Sequence, residues 1–306
     1  MKGHTHPSEG SAAVATPAQW IAGARLRTLP MAFAPVIVGA AAAFGETGSL
    51  HWGRAVLALL VSLLLQIGVN YANDYSDGIR GTDDVRVGPL RLTGSGLAKP
   101  SHVKAASFLC FGLAALAGLG LVLLSASWPL LVVGAAAVLA AWGYTGGKHP
   151  YGYLGLGEVF VFLFFGLVAT LGTTLTQIGT FTGSAWAGAV STGLIATALL
   201  MANNIRDIPT DREVGKNTLA VRLGDRAARV SYGVMLMAAG ILPALTAFSK
   251  PWMLLTLLVC VVGIAPSRTV LRAGTPRELI PVLKSTGIIS IVFAVLFAVG
   301  QVLGRL

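Results

Sequence analysis

Apolar residues run through this chain in long blocks separated by short polar stretches, and the length of the blocks is the first structural signal. A helix needs about 17 to 25 mostly apolar residues to cross the bilayer hydrocarbon. Blocks of that kind lie near 29–45, 55–73, 105–127, 128–144 and 154–178, then near 184–204, 230–248, 251–267 and 285–304. The pattern predicts an all-α polytopic membrane bundle of about nine transmembrane helices around a central cavity, with the first and eighth spans the shortest. Ahead of the first block, Thr16 and Pro17 read as the N-cap and first residue of a helix. Trp20, Ile21 and Leu26 alternate there with Arg25 and Arg27, as along a helix lying in the interface. Residues 1–15, polar and rich in small side chains, read as a disordered tail before a single domain spanning 16–306.

Composition sharpens this picture. Hydrophobic residues make up 55% of the 306 and charged residues only 11%, against roughly 25% charged in a soluble domain, which places the chain in lipid. Its net charge of +10 does not point to nucleic acid, because the basic residues are scattered over short loops and gather on no single face. Orientation accounts for them. With the N-terminus inside, nineteen of the 22 Lys and Arg fall on the cytoplasmic side, and only Arg54, Lys250 and Arg305 fall outside. The expectation is a multi-pass protein of the inner (cytoplasmic) membrane, its N-terminus and polar loops cytoplasmic. No apolar stretch of secretory-signal type follows Lys2. Cys110 and Cys260 sit inside apolar blocks without metal-ligand spacing and read as packing residues, and His4 and His6 have no third ligand nearby.

The same map brings two polar loops, 74–104 and 205–229, to one face, where the acidic residues concentrate. Spans two and six end alike, in VNYANDYSD and MANNIRDIPTD, as a parallel repeat would. Asn70, Asn73, Asp74 and Asp77 share a face if span two stays helical, and Asn203, Asp207 and Asp211 form an i, i+4, i+8 stripe. Four aspartates at the bilayer centre would cost on the order of 10 kcal/mol, so they belong at helix ends around a wet cavity. Hard carboxylate and amide oxygens in such a place suit Mg²⁺, which takes one or two carboxylates and completes its shell with water and phosphate. Arg80, Arg86, Arg91, Arg206, Arg212, Lys216 and Arg222 interleave with the acids, either as phosphate ligands or as ordinary positive-inside charge paired with them. Tyr144 and Lys148 share a face if the helix of span four persists to 148, although Gly146 and Gly147 interrupt it. Glu158, at the start of span five, reads as a functional group or as a hydrogen-bonded interfacial side chain.

Four stretches, NDYSDGIRGTDD (73–84), VGPLRLTGSG (87–96), YTGGKHPYGYLGLGE (144–158) and NNIRDIPTDREVGKNTLAVRLG (203–224), resemble the motifs of the UbiA-type intramembrane prenyltransferases. With ARLRTLP (24–30) they are most similar to the branch that acts on 1,4-dihydroxy-2-naphthoate, and the likeness runs from about residue 24 to the end of the chain. It implies transfer of a polyprenyl group from polyprenyl diphosphate to that acid, with release of diphosphate and CO₂, in menaquinone synthesis. It also implies one Mg²⁺ on Asn73 and Asp77 and a second on Asp207 and Asp211, supported by Asn203 and Asp74. Arg91, Tyr144, Lys148 and Lys216 would surround the diphosphate, with Arg206 beside them. Many relatives carry an aspartate four residues after the place of Asp77, where this chain has Gly81; the dihydroxynaphthoate branch places that acid later, here at Asp83. That departure weighs against 4-hydroxybenzoate, which with homogentisate is the alternative acceptor; the stretch 83–96 fits the dihydroxynaphthoate branch best. Secondary transport, the reading from another class, fits less well, since transporter sites usually lie at the midplane.

Overall fold

The computed structural model describes residues 15–81, 90–147 and 150–305. A short helix, α1 (Pro17–Gly23), opens the described chain. Its Thr16 hydroxyl accepts from the Gln19 amide while the Gln19 side chain accepts from the Thr16 amide, so the predicted N-cap is a reciprocal capping box. Then come α2 (Pro30–Thr47), α3 (Trp52–Ile79), α4 (Pro100–Ser125), α5 (Leu130–Gly143), α6 (Gly157–Ile178), α7 (Gly183–Glu213), the short α8 (Leu219–Leu223), α9 (Asp225–Ala244), α10 (Pro251–Arg272) and α11 (Pro276–Leu303). Among the described residues eight of these are long and apolar enough to cross a membrane, and α5 is a shorter apolar helix. The chain is a multi-pass membrane protein.

The nine blocks of the sequence thus correspond to nine helices, but the short one is the fourth, not the first or eighth. Pro129 stands at the N-cap of α5 and the helix stops at Gly143, so its 14 residues span only about 21 Å. The eighth extends over 22 residues, with Pro251–Leu257 in 3₁₀ turns and its C-terminal end at Arg272, past the apolar block. Stopping at Gly143 also ends the predicted continuation of that helix toward residue 148.

Two of the helices that exceed the hydrocarbon thickness bear on the site. With 28 and 31 residues, α3 and α7 reach about 42 and 46 Å, beyond the roughly 30 Å apolar layer. Their last turns carry the aspartates, so helix length alone lifts the carboxylates out of the lipid interior on one side, called here the site face.

On the far face the three basic exceptions to the charge rule are each individually matched. The Arg54 guanidinium donates to the carbonyls of Thr176 (3.0 Å) and Leu124 (2.8 Å), at the C-terminal ends of α6 and α4, where unpaired carbonyls carry partial negative charge. Lys250 donates to Glu46 (2.9 Å), Ser184 and Gln301, while Arg305 donates to the Glu46 carbonyl. Trp52, Trp128, Trp186 and Trp252 are all exposed at that end, as an interfacial aromatic belt would be.

Helix packing within the bundle relies on small residues. A Cβ on Gly166 would stand 2.4 Å from the Gly193 Cα, so α6 and α7 meet backbone to backbone. That contact lies in a π-helical stretch of α6, Phe162–Val168, whose extra residue per turn re-aims the side chains around it. Phe160, Phe164 and Phe165 line an apolar cavity of about 400 Å³ that also touches α2, α3, α4 and α5.

Candidate active site

The cavity and the aspartates share one helical stripe. Ser62, Leu65 and Val69 of α3 line the cavity, and the four-residue step from Val69 leads to Asn73 and then Asp77. The apolar space therefore runs along α3 toward its polar end, and Tyr144 and Tyr151 are among its lining residues.

The four polar residues predicted to share the α3 end divide their work. Asn70 donates to the Ala24 carbonyl (2.9 Å) and the Thr28 hydroxyl (3.1 Å), tying down the ARLRT segment between α1 and α2. Asp74 is fully buried, and its two oxygens accept from the backbone amides of Leu92 (2.7 Å) and Thr93 (2.8 Å). Asp74, which the resemblance gives a supporting part in the metal site, holds the 90–98 loop with its carboxylate. Gly78 permits that approach, since a Cβ there would lie 2.5 Å from the Thr93 methyl. Asn73 and Asp77 face the site: the Asn73 carbonyl accepts from the Thr145 hydroxyl (2.7 Å), and Asp77 accepts from the Tyr153 hydroxyl (3.0 Å) and pairs with Arg91 (3.5 Å).

At the end of α7, Arg206 grips Asp207 with two parallel bonds of 2.7 and 2.8 Å. Arg206 is buried, so here it neutralises the adjacent carboxylate. Lys216 stands 3.7 Å from Asp211, and its amide closes the turn onto the Asp211 carbonyl. Asn203 is half-buried at the same level, and its neighbour Asn204 donates to Glu158 (2.8 Å).

Tyr153, which the sequence reading passed over, joins the two ends. Its hydroxyl meets Asp77, and the Lys216 ammonium and Arg80 guanidinium lie 5.1 and 5.4 Å from its ring centroid. Its carbonyl accepts from the Asn217 amide. A chain of contacts thus runs from Asp77 through Tyr153 and Lys216 to Asp211. Arg80 is further engaged by the carbonyls of Thr145 and Gly147, so it binds the loop after α5 to the end of α3. Burial pushes the Tyr151 hydroxyl above the usual phenol range; it donates to the Ala140 carbonyl and its ring stacks on Phe160. Tyr144, predicted for the site, stands edge-on to Tyr151. Lys148, Asp83 and Arg86 lie outside the described residues. The one signal for Tyr153 was its setting between two glycines that let the loop turn tightly, Gly152 and Gly155.

Among the described residues no three carboxylate, imidazole or thiolate groups converge on one point. The oxygens of Asn73, Asp77, Asp207 and Asp211 nonetheless form the hard donor set that a hydrated divalent ion uses when phosphate supplies the rest.

An apolar cavity inside a membrane bundle, lined by α2 to α6 and following the stripe of α3 that ends at Asp77, is the setting of an intramembrane enzyme. The chain belongs to the UbiA prenyltransferase family, which matches residues 32–288. It is 51% identical over 296 residues to the 1,4-dihydroxy-2-naphthoate octaprenyltransferase of Mycobacterium tuberculosis, covering 94% of this chain and 98% of that one. The Escherichia coli protein of the same name is 38% identical, with 94% and 96% covered. Among solved structures, a UbiA homolog from Aeropyrum pernix superposes with a TM-score of 0.68 at 16% identity, covering 92% of this chain and 99% of that one. A homolog from Archaeoglobus fulgidus bound to GPP and Mg²⁺ gives 0.66 at 15%, covering 94% and 99%. At such identities the structures show a shared fold.

Proposed function

We propose that this prenyltransferase moves a polyprenyl group from its diphosphate to 1,4-dihydroxy-2-naphthoate, releasing diphosphate and CO₂ to give demethylmenaquinol. The observation that carries this reading is the linkage of both aspartate motifs through Tyr153, at the end of the α3 stripe that lines an apolar cavity. The acceptor comes from the names of relatives up to 51% identical over almost the whole chain.

Asn73 with Asp77, and Asp207 with Asp211, would hold two Mg²⁺ ions. Bound there, Mg²⁺ supplies Lewis-acid stabilisation of the departing diphosphate. Arg91 and Lys216, already beside Asp77 and Asp211, add positive charge where the leaving group becomes more negative. The aliphatic and aromatic walls hold the polyprenyl tail and keep water from the allylic centre. Attack by the electron-rich ring forms the new C–C bond as the C–O bond to diphosphate breaks, and loss of the displaced carboxyl group as CO₂ restores aromaticity. Asp74 and Arg80 position the loops at the polar end of α3. By the charge asymmetry of the loops the site face is cytoplasmic, and the membrane is the inner one.

The test is to incubate detergent-purified protein with Mg²⁺, a polyprenyl diphosphate and a panel of aromatic acids, with mass spectrometry of the products. Prenylated, decarboxylated naphthalenediol from the dihydroxynaphthoate is expected. A prenylated product from 4-hydroxybenzoate or homogentisate alone would contradict the acceptor assignment.

A further inference from the structure

Glu158 is a buried acidic side chain at this end of the bundle to which the proposed chemistry gives no task. It sits in the first turn of α6 with only 3% of its surface exposed. One carboxylate oxygen accepts from the Asn204 side chain at 2.8 Å, and the other, Oε2, has no hydrogen-bond partner among the described residues. A buried carboxyl oxygen without a partner is costly, and such an exception calls for a cause. Its position supplies one. Asn204 follows Asn203 and precedes Asp207 by three residues on α7. Gly157, immediately before Glu158, packs against the ring of Tyr144. The unpartnered oxygen therefore lies in the α6–α7 seam, beside the residue that follows Asn203 and one residue from the glycine packed on Tyr144, which lines the apolar cavity.

We infer that Glu158 Oε2 accepts a hydrogen bond from a ring hydroxyl of the aromatic acceptor and that Asn204 is the positioning residue that aims it. The inference rests on the proposed dihydroxynaphthoate reading and identifies which group of that acceptor is recognised. In a 1,4-dihydroxy-2-naphthoate the 1-hydroxyl lies beside the carboxylate and is bonded to it internally, so the 4-hydroxyl is the donor left over. A carboxylate accepting from that hydroxyl orients the ring and enriches it in electron density. Binding such a hydroxyl also favours the dihydroxy acid over an analogue without it, because the analogue leaves the buried oxygen unpaired.

The experiment is anaerobic calorimetric titration of the full-length protein in detergent with 1,4-dihydroxy-2-naphthoate and with 1-hydroxy-2-naphthoate. The native protein is expected to bind the dihydroxy acid about tenfold or more tightly, the discrimination of one hydrogen bond to a charged group. That ratio should fall close to one in Glu158→Leu and to an intermediate value in Glu158→Gln, whose neutral amide makes a weaker bond. Equal affinities in the native protein overturn the inference without need of any variant. So does an unchanged ratio in the variants, or a loss of both affinities together, which marks a purely structural role. Native protein that holds polyprenyl diphosphate but binds neither acid overturns the acceptor reading itself, so the two failures are distinct.

Discussion

Identical aspartates in one short motif do different work, and their hydrogen bonds separate them. Asp74 gives both oxygens to backbone amides of the 90–98 loop, whereas Asp77, three residues on, meets Tyr153 and Arg91. Replacing Asp74 by Asn removes the charge and puts a donor against one of those amides. This leaves a buried N–H unpaired at about 1–3 kcal/mol. The expected outcome is a lower thermal unfolding midpoint in detergent with the Mg²⁺ concentration for half-maximal activity unchanged. A strongly raised Mg²⁺ requirement at native stability would make Asp74 a ligand. Sequence spacing put Asn70, Asn73, Asp74 and Asp77 together, and the helix does bring them to one end. It could not separate them, because a helical face about 100° wide holds both the stripe continuing from Val69 and the side turned to the loops. Tyr153 stayed hidden for a related reason: its role depends on a loop contact between segments more than 60 residues apart in sequence, and no local pattern encodes that pairing.

At the level of elements, helix length and small residues shape the site. Span positions were legible because each is a block of apolar residues, and what moved is their ends, as at Gly143 for α5, Glu213 for α7 and Pro276 for α11. The π-helical stretch of α6 was not legible, since its phenylalanines and valines read equally well in an ordinary helix. From Val69 to Ala58 the cavity follows α3 for about 16 Å, and Ala58, nearly buried, lies toward its inner end. A Phe at position 58 fills that end. The expected effect is a fall in kcat/KM of roughly 10- to 100-fold for a long polyprenyl diphosphate, the size of an overpacking penalty, with far less effect on geranyl diphosphate. Competition kinetics with the two donors measures it, and an equal loss for both would mean that the tail does not lie along α3.

Across the whole molecule, charge is sorted between the two faces. Nineteen basic residues were assigned to one side from sequence alone, and the three on the other side are matched by helix carbonyls or Glu46. The proposed cytoplasmic placement of the site face rests on this asymmetry. A membrane-impermeant maleimide applied to intact cells should label Ser49→Cys and spare Arg277→Cys. The reverse pattern would invert the proposed topology.

Both aspartate-tipped helices are held here to act on a single diphosphate. The most direct measurement is Mg²⁺-dependent binding of a polyprenyl diphosphate to purified native protein, Asp77→Ala and Asp207→Ala, each first shown to be folded by its thermal transition. One saturable site in the native protein and its loss in either variant is the expected result, with affinity falling roughly 10- to 100-fold or more for one charge-assisted contact. Native-like binding in either variant would contradict the claim that the two motifs share one ligand.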